Sequence, residues 1–184
     1  MSKTEFDEFV QRQRAKNQEV NEFDSQKQLE EWIDYLNQLY DDISGFMRGY
    51  ICNGDAEIKF RDINLNEDFI GDYTAKELIL IIGRSTIIFK PIATMLIGSK
   101  GRVDVQGPRG QVRLSLINKK VSSARQLIRV TVTLPGEPVP ASPLIEDVNK
   151  IEWAWKIVTP APEIRFIDLT EEAFFDMILS VADA

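Results

Sequence analysis

The side chains best placed to do chemistry in this chain are cationic. Lys100, Arg102, Arg109, Arg113 and Arg129 belong to a central segment, residues 84–136, with ten basic residues and a single acid, Asp104. Its formal charge is +9, whereas residues 1–83 carry −9 and residues 137–184 carry −7. Apolar residues alternate with the arginines. Val103, Val105, Val112, Leu114, Leu116, Val130 and Val132 point one way along their strands, and Arg102, Arg113 and Arg129 the other. If these strands are neighbours, three arginines share a sheet face, with Lys100 and Arg109 at its ends alongside Lys119, Lys120 and Arg125. Such a face would bind an anion or a partner. The competing expectation is that the acidic flanks fold beside the segment and neutralise it.

Three tryptophans form the second candidate. Trp153 and Trp155 are two apart, so they share one face of a strand, and Trp32 lies on the apolar stripe of a long helix. Together they could line a ligand pocket between helix and sheet, or form the core contact between the two. Alternation with Ile151 and Ile157 favours the core.

Composition removes most other chemistry. The chain has no histidine and one cysteine. Ser-His-Asp and Cys-His catalysis, a histidine proton shuttle, His-based zinc sites and CxxC clusters are all excluded. Cys52 can form no internal disulfide, which fits a reducing compartment, and it reads as a small core hydrophobe near a turn. Asp62-Ile63-Asn64-Leu65-Asn66 matches the first half of an EF-hand loop. Glu67 and Tyr73, however, stand where the turn glycine and the bidentate glutamate are needed, so a polar connecting loop is expected. Gly98-Ser99-Lys100-Gly101 has the GxxG form of a nucleic-acid loop but lies between strands, and reads as a hairpin turn. Acidic pairs such as Glu171/Glu172 could support carboxylate catalysis only within a cleft. No metal or cofactor is implied.

The elements that must position these residues follow from periodicity. Leu29, Trp32, Ile33, Leu36, Leu39, Tyr40, Ile43, Phe46 and Met47 recur in steps of three and four and predict a helix over about 26–47, ending near Gly45 or Gly49. Its stripe is three residues in seven, the width of a helix packed on a core and wider than a coiled-coil seam. A shorter, loosely docked helix is expected within residues 1–22. Strands are expected at 57–61, 77–82, 86–90, 94–97, 102–106, 111–117, 128–134 and 151–157, with Ile164 and Phe166 closing the series. No helix-length pattern separates them, which predicts an antiparallel meander. Four prolines between Pro135 and Pro143 make residues 135–149 a loop. A final helix is expected over about 171–182, capped by Asp168 or Thr170 and buried through Phe174, Met177, Ile178 and Val181.

These readings give one domain over residues 1–184 and an α+β class: a long N-terminal amphipathic helix, an antiparallel sheet of about seven to nine strands, and a short C-terminal helix. The acidic N-terminus is no signal peptide and no apolar run spans a membrane, so a cytoplasmic protein is expected. The functional expectation is a non-catalytic binding protein acting through protein–protein contact, with the profile of a bacterial antitoxin or toxin-immunity protein. The alternative is a small-molecule or anion-binding module with a pocket between long helix and sheet, and a carboxylate enzyme comes third. Nucleic acid is disfavoured by the net charge of −7 and by basic strands without interleaved aromatics. A homo-oligomer is compatible with everything above.

Overall fold

A computed structural model describes residues 3–68, 70–93, 99–124 and 151–182, with side chains from Ser25 onward. Among these residues the elements are α1 (Lys3–Asn53), β1 (Ala56–Glu67), β2 (Gly71–Ile82), β3 (Ser85–Ala93), β4 (Gly101–Gly107), β5 (Gly110–Asn118), β6 (Trp153–Val158), β7 (Phe166–Asp168) and α2 (Glu171–Val181). The strands form one antiparallel sheet in the order β1-β2-β3-β4-β5-β6-β7, a pure meander. The fold is α+β, as the spacing of the apolar residues predicts. The strands expected at 94–97 and 128–134, the loop 135–149, Arg125, Arg129 and the side chains of residues 1–22 lie outside the described residues.

Periodicity predicts two N-terminal helices, but the structure has one, running on past Gly45 and Gly49 to Asn53. The reason is propensity. Residues 11–28 are rich in Gln, Arg, Lys and Glu and contain no Gly or Pro, so the backbone stays helical where the apolar pattern fails. Gly45 and Gly49 sit on the exposed side, where each costs about 1 kcal/mol relative to Ala without breaking the helix. The stop is Gly54, whose φ of 79° is the left-handed conformation that closes a helix. Cys52, in the last turn, is exposed and not the core residue that its apolar neighbours suggest.

The stripe on α1 packs on the sheet. Trp32, Leu36, Leu39, Tyr40, Ile43 and Met47 are buried against Leu78, Leu80, Ile87, Phe89, Val103, Val105, Leu114, Leu116, Trp155 and Ile157. The second helix lies on the same sheet face. Its Phe174 stacks on Phe89 of β3 at 6.4 Å and meets Phe46 of α1 at 5.3 Å. Thr170 caps it by accepting from the Ala173 amide at 3.2 Å.

β1 and β2 are longer than alternation alone predicts. They pair over twelve residues each, yet β3 joins β2 only from Leu78 onward, so residues 62–67 and 71–76 form a two-stranded arm. Asp62–Asn66, expected as a loop, is part of this arm. Its polar and apolar residues alternate, with Asp62, Asn64 and Asn66 exposed and Ile63 and Leu65 half-buried. Along β2 the buried set changes from Tyr73 and Ala75 in the arm to Leu78 and Leu80 in the sheet, with no shift in pairing register. Two-stranded ribbons twist more strongly than sheets, and that twist turns the other face of the arm toward α1. Tyr40 on α1 fastens the arm by donating to the Lys76 carbonyl at 2.6 Å. Burial, with the Glu77 charge nearby, pushes the Tyr40 hydroxyl well above the usual tyrosine range, so it remains a donor.

Candidate functional site

The cationic segment folds around its own acid. On the sheet face away from the helices, Arg61 pairs with Glu77 across β1–β2, and Lys90 and Arg113 flank Asp104 across β3–β4–β5. The β2–β3 register, continued by one residue beyond Leu78 and Phe89, sets Glu77 opposite Lys90. Arg61, Glu77, Lys90, Asp104 and Arg113 therefore make a cross-strand row of alternating sign over five strands. Both acids are buried, at 2% and 5% exposure, while the three bases are exposed. Arg61 reaches Glu77 as an ion pair. Arg102 grips Asp104 with a two-pronged contact, Nε at 2.7 Å and Nη2 at 2.8 Å, the strong guanidinium–carboxylate geometry.

Of the four described site residues, Arg102 and Arg113 share the far sheet face around Asp104, while Lys100 and Arg109 lie elsewhere. Arg102 is consumed by Asp104, and Arg113 is exposed one strand away. Lys100 leaves the sheet face for the helix side, where its Nζ lies 2.6 Å from Glu31 and 5.3 Å from the centre of the Trp153 ring. Arg109 is exposed at the tip of the β4–β5 turn, and its amide donates to the Val181 carbonyl at 3.0 Å. Arg129 lies outside the described residues. Lys119 reaches Glu152 of the acidic C-terminal flank at 3.3 Å. Three bases of the segment, Lys100, Arg102 and Lys119, are thus paired inside the fold. Lys90, Arg109 and Arg113 make no ion pair among the described residues.

The tryptophans divide in the same way. Trp32 and Trp155 are buried with ring centres 6.0 Å apart, and Trp155 Nε1 donates to the Tyr35 carbonyl at 3.0 Å. They are core. Trp153 is half-buried beside an open groove of about 420 Å³, lined also by Glu31, Asp34, Tyr35, Gln38, Lys100 and Ile151. Trp32 lines neither this groove nor the smaller one of about 270 Å³ next to it.

Lys156 is the third buried charge on the far face, at 3% exposure. Its ammonium donates to the carbonyls of Lys119 (2.8 Å) and Val121 (3.0 Å) and meets the Asp168 carboxylate at 2.8 Å. Three donors meet three acceptors, which ties residues 119–121 and β7 down onto β6. Lys156→Met keeps the volume but strands two carbonyls, and should cost about 2 kcal/mol in a urea melt. Asp168→Asn should cost well under half of that, because Asp168 is largely solvated.

One surface was missed by the sequence reading. Tyr50 at the end of α1 is 48% exposed and meets Phe175 of α2 edge-on at 6.0 Å. Leu179, one helical turn beyond Phe175, is 70% exposed. Glu171, Glu172 and Asp176 lie on the same helix as Phe175 and Leu179 and are exposed. The clue was present: Phe175 and Leu179 are spaced i, i+4, off the buried stripe of Phe174, Met177, Ile178 and Val181.

Among the described residues, no three His, Cys, Asp or Glu side chains cluster as metal ligands, and no helix is long and apolar enough to cross a membrane. Comparison with protein-family models, curated proteins and solved structures finds no match for this chain.

Proposed function

We propose that the protein is a non-catalytic binding protein acting through protein–protein contact, and that its partner is basic. The observation that carries this reading is the Tyr50–Phe175–Leu179 patch with Glu171, Glu172 and Asp176 beside it on α2. A partly exposed apolar patch with charge beside it has the anatomy of a docking site, and aromatic anchors supply most of the affinity at such sites. The net charge of −7 steers a basic partner toward it. Antitoxins and toxin-immunity proteins, which neutralise a partner by covering it, are the class this profile fits.

The test compares the full chain with a Leu179→Arg variant as bait in a native lysate. Because Leu179 is mostly exposed, the variant should keep the wild-type melting temperature. The wild type should retain one stoichiometric protein, and the variant at least roughly tenfold less. The association rate with that protein should fall steeply between about 50 and 500 mM salt. Equal retention by both baits, or a rate indifferent to salt, overturns the reading.

A further inference from the structure

We infer that the open edge of β1 pairs with the same edge of a second copy of this chain, antiparallel, about a two-fold axis through Ile58. Among the described residues β1 is the first strand of the sheet and hydrogen-bonds to β2 alone, so they leave one side of a twelve-residue strand without a neighbour. Such an edge is a template for another strand unless charge or proline blocks it. There is no proline in β1, and a register centred on Ile58 makes its charges self-complementary while setting Phe60 opposite an apolar residue, whereas centres at Ile63 and Asn64 set Phe60 opposite Asn66 and Asp68.

With Ile58 facing its own copy, Glu57 stands opposite Lys59 twice, and Asp55, in the bend just before β1, lies level with Arg61 twice. On the other face, Ala56 stands opposite Phe60 twice. Direct cross-strand neighbours of opposite charge attract and like charges repel, so register follows the charges. The neighbouring centres fail on this ground. A centre at Glu57 opposes Glu57 to itself, one at Lys59 opposes Lys59 to itself, one at Phe60 sets Lys59 against Arg61 twice, and one at Arg61 opposes Arg61 to itself.

Phe60 supplies the apolar gain. It is 50% exposed at this edge, with its ring 5.6 Å from Tyr40 of α1. In the paired state it stands opposite the partner's Ala56, which is buried in its own copy, and Ile58, half-buried in one copy, meets its equivalent. The contact is isologous and closes on itself, so it yields a dimer and no fibre. Seven residues on each side make a small interface, so a dissociation constant of about 10 μM is expected. The seam is formed by β1 whereas Leu179 belongs to α2, so Leu179→Arg should leave dimerisation unchanged.

Sedimentation equilibrium of the full chain tests the pairing. Glu57 and Lys59 are 59% and 55% exposed, so Glu57→Lys and Lys59→Glu should fold normally, as circular dichroism would verify. Each variant alone places like charges across the seam and should dimerise at least roughly tenfold more weakly than the wild type. Mixed together, the two variants restore Glu–Lys opposition at every seam position and should form a heterodimer of near wild-type affinity. A wild-type chain that stays monomeric up to about 500 μM overturns the inference. So does a single variant that dimerises as tightly as the wild type, or a mixture that fails to associate.

Discussion

Gly101→Ala should cost about 3 kcal/mol of stability and lower the melting temperature by roughly 10 °C. The position has no room for a methyl group. A Cβ built on Gly101 falls 2.0 Å from Cζ3 and 2.6 Å from Cε3 of Trp32. The ring cannot retreat, because Trp32 is 1% exposed and Trp155 stands behind it, fixed by its bond to the Tyr35 carbonyl. Over-packing of this kind moves backbone, and here the backbone belongs to β4, in the middle of the sheet. Urea melts of a double-mutant cycle isolate the cause. Trp32→Leu alone opens a cavity and costs about 3 kcal/mol. In the double variant the two losses should fail to add by more than about 1 kcal/mol, because the shorter side chain vacates the space that the new methyl needs. Additive losses would mean that the contact is not what makes glycine necessary. The same close approach bears on the ligand pocket expected between helix and sheet: Trp32 is not free to line it, because its buried ring lies on Gly101.

The parts of the fold that rest on a single period could be read from the residues. Steps of three and four along Leu29–Met47 gave the packed face of α1, and alternation through Val103, Val105, Leu114 and Leu116 gave the buried face of β4 and β5. Gly83-Arg84 and Pro108-Arg109, turn formers between alternating runs, mark the two tight hairpins. What escaped depends on tertiary context. The helix before residue 26 has propensity without periodicity. The arm at Asp62–Asn66 has weak strand formers, and its pairing with β2 and the Tyr40 anchor hold it extended. Side-chain partners were out of reach altogether. Lys100 and Arg102 look equivalent in the sequence, yet one crosses to Glu31 on α1 and the other turns to Asp104 two residues along its own strand. Strand alternation alone does not say which way a long side chain leans at a strand end.

Asp104→Ala should likewise cost about 3 kcal/mol, because it removes the one anion from a cluster of cations on β3, β4 and β5. The carboxylate is 5% exposed and accepts both prongs of Arg102 and the Gln111 amide at 3.3 Å, with Lys90 and Arg113 opposite it on either side. Without it, three positive groups face one another over a hollow. Arg102→Ala should cost only about 1 kcal/mol, because Asp104 keeps Lys90, Arg113 and Gln111 as company. Salt separates this account from simple loss of a contact. Raising sodium chloride from about 0.05 to 1 M screens the exposed cations. It should recover part of the loss in Asp104→Ala while changing the wild type little. Equal costs for the two substitutions, or a loss indifferent to salt, would show that the row does not act as a unit. Asp104→Ala should also bind a heparin matrix more tightly than the wild type, whereas Asp104→Glu should not. That pair of results would show that the buried acids offset the exposed bases of this face, whose charge then serves to hold strands in register.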